Sequence, residues 1–226
     1  MFYDPTFVLL IPAVILAFYA QFKVKSTYAK YSQVSSKKGV RAVDVARSLL
    51  DNADLSNIGI ELTKGRLTDN YDPRDKKLYL SSDVYNSDSV AAIGVVAHEV
   101  GHAIQDAKGY APLAFRTNFV PVASIGSNLS IPLFFMGLIF SLGPLMDLGI
   151  ILFTLAVVFQ VITLPVEFNA SSRAIAILKD GNYLIADELA MSRKVLNAAA
   201  LTYVAATAMA VLQLIRLIAL RGSRED

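Results

Sequence analysis

Four long apolar runs dominate the chain and predict membrane-spanning helices. They cover residues 6–22, 119–142, 145–166 and 198–220. A helix needs about 20 apolar residues to cross the hydrocarbon core of a bilayer, and these runs meet or approach that length. The second and third runs, joined by a tight turn at 141–144, predict a transmembrane hairpin. The fourth run predicts either a last span or an interfacial helix, and the pattern leaves both open.

The first run is predicted to remain as a transmembrane helix, with Phe2 and Tyr3 as interface anchors. A secretory signal peptide is the competing interpretation. Against it, the residues before the run include Asp4 but no Lys or Arg, and no convincing cleavage site follows Ala20.

Basic residues directly after the first run predict the orientation in the membrane. They are Lys23, Lys25, Lys30, Lys37, Lys38 and Arg41. Short basic loops favour the cytoplasm, and a hairpin of two crossings returns the chain to the same side. We therefore expect a multi-pass protein of the cell membrane whose polar segments face the cytoplasm. A fourth span would place Arg221 and Arg224 outside, against this tendency.

The segment between the first run and the hairpin predicts a small α+β domain. A helical stripe of apolar residues ends near Asn52, and a strand pattern follows around Ile60. Residues 69–75 are rich in turn formers, residues 77–81 predict a second strand, and a helix is predicted over about 88–107.

The ends of this helix carry ordinary signals, since Ser87 or Asp88 could cap its start and Gly109 follows its last turn. The strand at 77–81 suggests a way to hold a substrate. If it lies at a sheet edge, an extended peptide could add to it; an interior position is the alternative.

The sequence from His98 to His102 gives this helix its chemistry. Residues four apart share one helix face, so His98 and His102 can bind one metal ion together. Glu99 directly follows His98 around the helix, where an unligated carboxylate can exchange a proton with a metal-activated water. This spacing predicts a zinc site with Glu99 as the catalytic base.

The composition supports the metal interpretation and excludes other chemistry. Both histidines of the chain lie in this motif, and the surrounding helix is apolar, so unpartnered imidazoles would be costly to bury. The absence of cysteine excludes disulfides, thiolate ligands and a cysteine nucleophile. A net charge of +2 without a basic stripe of interleaved aromatics argues against nucleic-acid binding.

Glu167 is the predicted third metal ligand. It follows the third apolar run, where an unpaired charge would be expensive, and the hairpin returns it to the side of His98 and His102. A His2Glu set is an established zinc site, although manganese, cobalt or iron would also suit it. The alternative is an interfacial glutamate that faces water or pairs with Arg173.

Two further residues near Glu167 are candidates for supporting roles. Ser171 lies four residues on, on the same helix face, and could hold a ligand in place. Arg173 could stabilise an oxyanion, or it could bind lipid phosphate at the inner leaflet.

The motifs at 98–105 and 167–171 resemble those of the bacterial membrane-bound neutral zinc metallopeptidase family of the YugP type. Flanking matches lie at 21–26, 30–32, 71–74 and 199–206. The chain is also distantly similar to the HtpX-like gluzincins, in which an aspartate follows the glutamate by four positions. Here that position is Ser171. The resemblance implies Zn2+ as cofactor and peptide-bond hydrolysis.

The predicted fold is thus a mainly α membrane protein with about four transmembrane helices and a small α+β zincin-like domain. The predicted segments are a first transmembrane helix at 1–22, the metallopeptidase domain at 23–118, the hairpin at 119–166, a helical segment at 167–195 and a C-terminal transmembrane or interfacial helix at 196–226.

A membrane-anchored zinc endopeptidase is the predicted function. Its expected partners are the bilayer and protein or peptide substrates, membrane proteins among them, and it could also form homo-oligomers. The main alternative is a non-catalytic scaffold that keeps the metal, and a pore or transporter is a weaker one. Glu99 distinguishes the first two, because a structural metal site has no use for an unligated acid there.

Overall fold

The computed structural model describes residues 5–65 and 68–223. The expected anchors Phe2 and Tyr3, as well as Asp4 and Arg224, lie outside the described residues. The chain divides into two compact units. The first comprises Met1–Gln21, Phe115–Leu164 and Thr202–Asp226, and the second comprises Phe22–Ala114 and Pro165–Leu201.

The described residues are mostly helical, with one small sheet, which confirms the predicted fold class. A 3-10 turn at Pro5–Leu10 precedes seven helices and three strands: α1 (Ile11–Tyr31), α2 (Ala42–Asn52), β1 (Gly59–Thr63), β2 (Asn70–Asp72), β3 (Lys77–Ser81), α3 (Ser82–Tyr85), α4 (Val90–Ala107), α5 (Ala111–Ile139), α6 (Gly143–Asp180) and α7 (Ala186–Gly222).

Four helical stretches of the described residues are long and apolar enough to cross a membrane, as predicted. They are Pro5–Tyr31, Ala111–Ile139, Gly143–Asp180 and Ala186–Gly222. Large apolar side chains are exposed along them, as expected for surfaces that face lipid.

Two of these helices continue well past the end of the apolar runs from which they were predicted. Helix α1 extends beyond Phe22 into the basic segment. Helix α6 runs without interruption through Pro165 and Glu167 to Asp180. The change from apolar to polar residues indicates where a helix would leave the apolar part of the membrane. A helix ends only where the sequence also carries a turn signal.

In the first unit, the end of α7 is fixed to the start of α6. The Arg221 guanidinium donates to the Asp147 carboxylate at 2.8 Å, and Arg221 also lies beside Gly143. A small apolar cluster around Phe134, Met146 and Leu217 packs the three helices together. Helix α7 is unbroken from Ala186 to Gly222, and its end packs against α5 and α6, which favours a last span over an interfacial helix.

The sheet of the second unit has the strand order β1-β3-β2, with β1 parallel and β2 antiparallel to β3. The loop at 69–75 thus contains a strand that the sequence did not predict. Three residues are too few for an alternation to be visible, and pairing with β3 is what makes Asn70–Asp72 a strand. Strand β3 is central, so the idea that Lys77–Ser81 forms a free edge is wrong.

Helix α4 lies at the centre of the core of the second unit and is buried along most of its length. The side chain of Ser89 caps its start by accepting a hydrogen bond from the Ala92 N–H. The cap predicted at Ser87 or Asp88 therefore lies one or two residues later than expected. The helix ends at Ala107, and Gly109 follows with φ of +60°, a conformation that glycine adopts without strain.

Gly101 allows α4 and α6 to approach each other closely. A Cβ atom at position 101 would lie 2.7 Å from the carbonyl oxygen of Ala170, well inside van der Waals contact. Ala170 is itself fully buried. Any larger residue at 101 would therefore force the two helix backbones apart.

Gly101→Ala should destabilise the protein by about 1–3 kcal/mol, because the added methyl group overpacks the contact between α4 and α6. The measurement is the thermal unfolding midpoint in detergent. Gly222→Ala is the matched control, since nothing lies within 4 Å of a Cβ at that position. If both variants unfold at the parent temperature, the close contact is not a constraint.

Candidate metal centre

Three side chains that the sequence proposed as metal ligands converge in the structure. The Nε2 atom of His98 lies 3.3 Å from one carboxylate oxygen of Glu167, and the Nε2 atom of His102 lies 3.7 Å from the other. One ligand atom from each residue lies within 4.8 Å of the other two. Among the described residues, these three form a group whose ligand atoms lie close enough together to hold one metal ion.

The elements that carry these residues explain why they meet. His98 and His102 are one helical turn apart on α4, and their rings stand nearly perpendicular with centroids 4.7 Å apart. Glu167 projects from α6 and is only 2% exposed. The approach permitted by Gly101 brings the carboxylate between the two imidazoles.

Glu99 is buried beside this cluster and is held by the sheet. Its Oε2 atom accepts a hydrogen bond of 2.9 Å from the backbone N–H of Tyr71 in β2. Burial raises the pKa of the Glu99 carboxyl, and the neighbouring imidazoles act in the opposite direction. One carboxylate oxygen is thus fixed by the strand, and the other is free to accept a proton.

Tyr71 itself is fastened to the same helix. Its hydroxyl donates to Asp106 of α4 at 2.6 Å, and Lys76 pairs with the same carboxylate. Burial and the hydrogen bond to Asp106 raise the pKa of the Tyr71 phenol, so it stays protonated. These contacts hold β2 at the position from which its backbone reaches Glu99.

Gln105 orients His102, a role that the sequence analysis missed. The Gln105 amide nitrogen donates to the carbonyl of Val166 at 2.8 Å and to Asn169 Oδ1 at 3.0 Å. Both partners are acceptors, so the amide oxygen must face His102 Nδ1, which lies 2.9 Å away. His102 Nδ1 therefore carries the proton, and its Nε2 lone pair is directed at Glu167.

Ser171 plays the corresponding part for His98. Its hydroxyl oxygen lies 3.1 Å from His98 Nδ1, which leaves Nε2 of that ring to face Glu167. Ser171 lies one turn along α6 from the carboxylate, and its supporting role stays a prediction.

Arg173 lies further along the same network. Its Nε donates to Asn169 Oδ1 at 2.7 Å, so it supports the residue that in turn bonds Gln105. It also lines a groove formed with the ends of α2 and α4. These contacts favour a positioning role, and oxyanion stabilisation by Arg173 remains a prediction.

Of the missed residues, Gln105 alone has a local signal in the sequence. Gln105 lies three residues after His102, which places it near the same helix face, and this spacing could have marked it. Asn169 and the Tyr71 backbone carry no comparable signal, because their contacts join elements distant in the chain.

The donor set fits a divalent cation. Two imidazoles with their Nδ1 atoms in contact with Gln105 and Ser171 present their Nε2 atoms toward a buried carboxylate. A carboxylate exposed by only 2% is costly without a positive partner, and a bound cation supplies one. Nitrogen and oxygen donors in this combination suit zinc and other first-row metals.

Comparisons with known proteins agree with this chemistry. The family described as "Putative neutral zinc metallopeptidase" matches residues 6–222. The chain is also 44% identical over 220 residues to "Putative membrane protease YugP" of Bacillus subtilis (strain 168), a match that covers 96% of this chain and 98% of the relative. No solved structure matches the chain significantly.

Gln105→Met should weaken the binding of a divalent ion about 10–100-fold, because methionine fills the space but cannot orient His102. The measurement is zinc affinity of the purified protein by competition with a chelator. Ile104→Met, a change to the same residue on the same turn of α4, is the control and should bind normally. Equal affinity in the two variants would contradict the orienting role.

Ser171→Ala should also weaken metal binding, by less than Gln105→Met, since a hydroxyl orients an imidazole more weakly than a buried amide that two further hydrogen bonds hold in place. Ser172→Ala removes the neighbouring exposed hydroxyl and should leave the affinity unchanged. If the two serine variants behave alike, the contact between Ser171 and His98 has no part in metal binding.

Proposed function

The chain belongs to the neutral zinc metallopeptidase family, and on this premise we propose that it is a membrane-anchored, zinc-dependent endopeptidase of the gluzincin type. The observation that carries the proposal is the convergence of His98, His102 and Glu167 with the unligated Glu99 beside them.

His98, His102 and Glu167 would hold the zinc ion. Three protein ligands are the usual number for a catalytic zinc, which keeps a further position for water or substrate, whereas structural zinc sites are usually closed by four. When bound, the ion would make water more acidic and stabilise negative charge on the carbonyl oxygen.

Glu99 would act as the general base and then as the general acid. Its free carboxylate oxygen takes a proton from the attacking water as the water oxygen forms a bond to the scissile carbonyl carbon. It then delivers a proton to the amide nitrogen as the carbon–nitrogen bond breaks. The Tyr71 N–H keeps the carboxylate in one orientation during both transfers.

Strand β2 is the better candidate than β3 for binding an extended substrate. It lies at an edge of the described sheet, and the N–H of its Tyr71 donates to Glu99. A peptide that lies along this edge would pass the general base.

The site is proposed to face the cytoplasm. The basic residues at 23–41 precede the site-bearing segments and support this orientation by the positive-inside tendency. Protein or peptide substrates with segments accessible from that side follow from it, and membrane proteins are natural candidates.

Glu99→Gln should retain zinc but lose peptide cleavage by about 100-fold or more, because the amide cannot accept the proton of the attacking water. The measurement combines metal content with cleavage of a casein-type substrate by the full chain in detergent. Glu61→Gln, an exposed acid on β1, is the control and should cleave normally. If the parent protein and Glu99→Gln contain equal amounts of zinc and the parent protein cleaves no substrate, the non-catalytic scaffold is favoured.

Glu167→Ala should bind zinc more weakly than the parent by about 10–100-fold or more, because it removes a ligand rather than a supporting group. Affinity is measured by chelator competition, independently of cleavage. Glu61→Ala provides the control for loss of a carboxylate. Normal zinc binding by Glu167→Ala would show that Glu167 is not a ligand.

A further inference from the structure

A groove of about 410 Å³ lies between α1 and α7, within the second unit. Its lining residues recur at helical spacing on both sides. Lys23 and Lys30 are two turns apart on α1, and Lys194 and Leu201 are two turns apart on α7. The groove is therefore formed by one face of each helix.

The charge of the groove is positive. Three lysines line it, and among the described residues none of those that line it is an aspartate or glutamate. Lys30 lies 5.4 Å from the ring centroid of the buried Tyr31, so its ammonium group is held over an aromatic face. The Asn197 amide adds neutral hydrogen-bonding capacity at the same groove.

The groove also has an apolar part, beside the hydroxyl groups of Ser26 and Thr27. Tyr31, Ala198 and Leu201 contribute to its wall. An inorganic anion would use only the lysines, whereas a phospholipid would also place its glycerol and upper acyl region against apolar side chains.

The position of the groove along both helices matches a membrane surface. On α1 the groove begins at Lys23, directly after the apolar run 6–22. On α7 it ends at Leu201, among the first residues of the apolar run 198–220. Both walls thus lie where an apolar run meets polar residues. Phosphate groups of lipids lie at this level of a bilayer.

We propose that this groove binds the phosphate headgroup of an anionic phospholipid, with Lys23, Lys30 and Lys194 as its cationic contacts. The site is separate from the candidate metal centre in residues and in chemistry. A bound lipid would connect α1 with α7 through a shared anion.

Native mass spectrometry of the full chain in a neutral detergent tests the proposal. Phosphatidylglycerol, phosphatidylcholine with the same acyl chains, and inorganic phosphate are added in separate titrations. We expect phosphatidylglycerol to bind at least about tenfold more tightly than phosphatidylcholine, since each lysine near an anionic headgroup contributes a severalfold gain in affinity.

The combined variant K23Q, K30Q and K194Q should lose this preference for phosphatidylglycerol. The matched control replaces Lys64, Lys108 and Lys179, three exposed lysines outside the groove, and removes the same charge. It should retain the preference. Thermal unfolding midpoints of all variants establish that they fold. The single variants, each expected to weaken binding about fivefold, provide the test if the triple variant is unstable.

Three outcomes would overturn the proposal. Equal loss in the groove variant and the control variant would indicate attraction to diffuse charge rather than a site. Equal binding of the two lipids by the parent protein would remove the anionic preference. Displacement of phosphatidylglycerol by millimolar inorganic phosphate, with tight binding of phosphate alone, would identify a soluble phosphate compound as the ligand instead of a lipid.

Discussion

The close approach of α4 to α6 is the constraint on which the candidate metal centre depends. Imidazoles on one helix and a carboxylate on another can share an ion only if the two backbones nearly touch, and Gly101 against Ala170 permits this. The same packing buries Glu167, which makes an unpaired carboxylate unfavourable there. Packing and electrostatics therefore both favour a positive partner for Glu167, which an ion held together with His98 and His102 would supply.

Hydrogen bonds from different parts of the second unit then fix each group in one orientation. Gln105 holds His102, Ser171 lies against His98, and the backbone of β2 holds Glu99. Glu167 and Ser171 are carried by a long continuous helix rather than by a loop. A site supported by regular elements keeps its geometry with little loss of freedom on binding, as catalysis at a metal requires.

Several elements followed from local pattern, and others could not. The helix of the metal motif, β3 and the four apolar helices were predicted because periodicity and run length depend only on neighbouring residues. Strand β2 was missed because its three residues are a strand only through pairing with β3. The cap of α4 was misplaced because serines or an aspartate at 87–89 are all acceptable caps, and backbone geometry chooses Ser89.

The candidate chemistry of the site follows from the sequence. Two histidines one helical turn apart with an adjacent glutamate are typical of a metal site, and Glu167 was the acid that the chain topology made available. How these groups are held depends on the tertiary structure. The partners that hold the Gln105 amide, the hydrogen bond from Tyr71 to Glu99 and the central place of β3 depend on contacts between distant segments, and local spacing carries no information about such contacts.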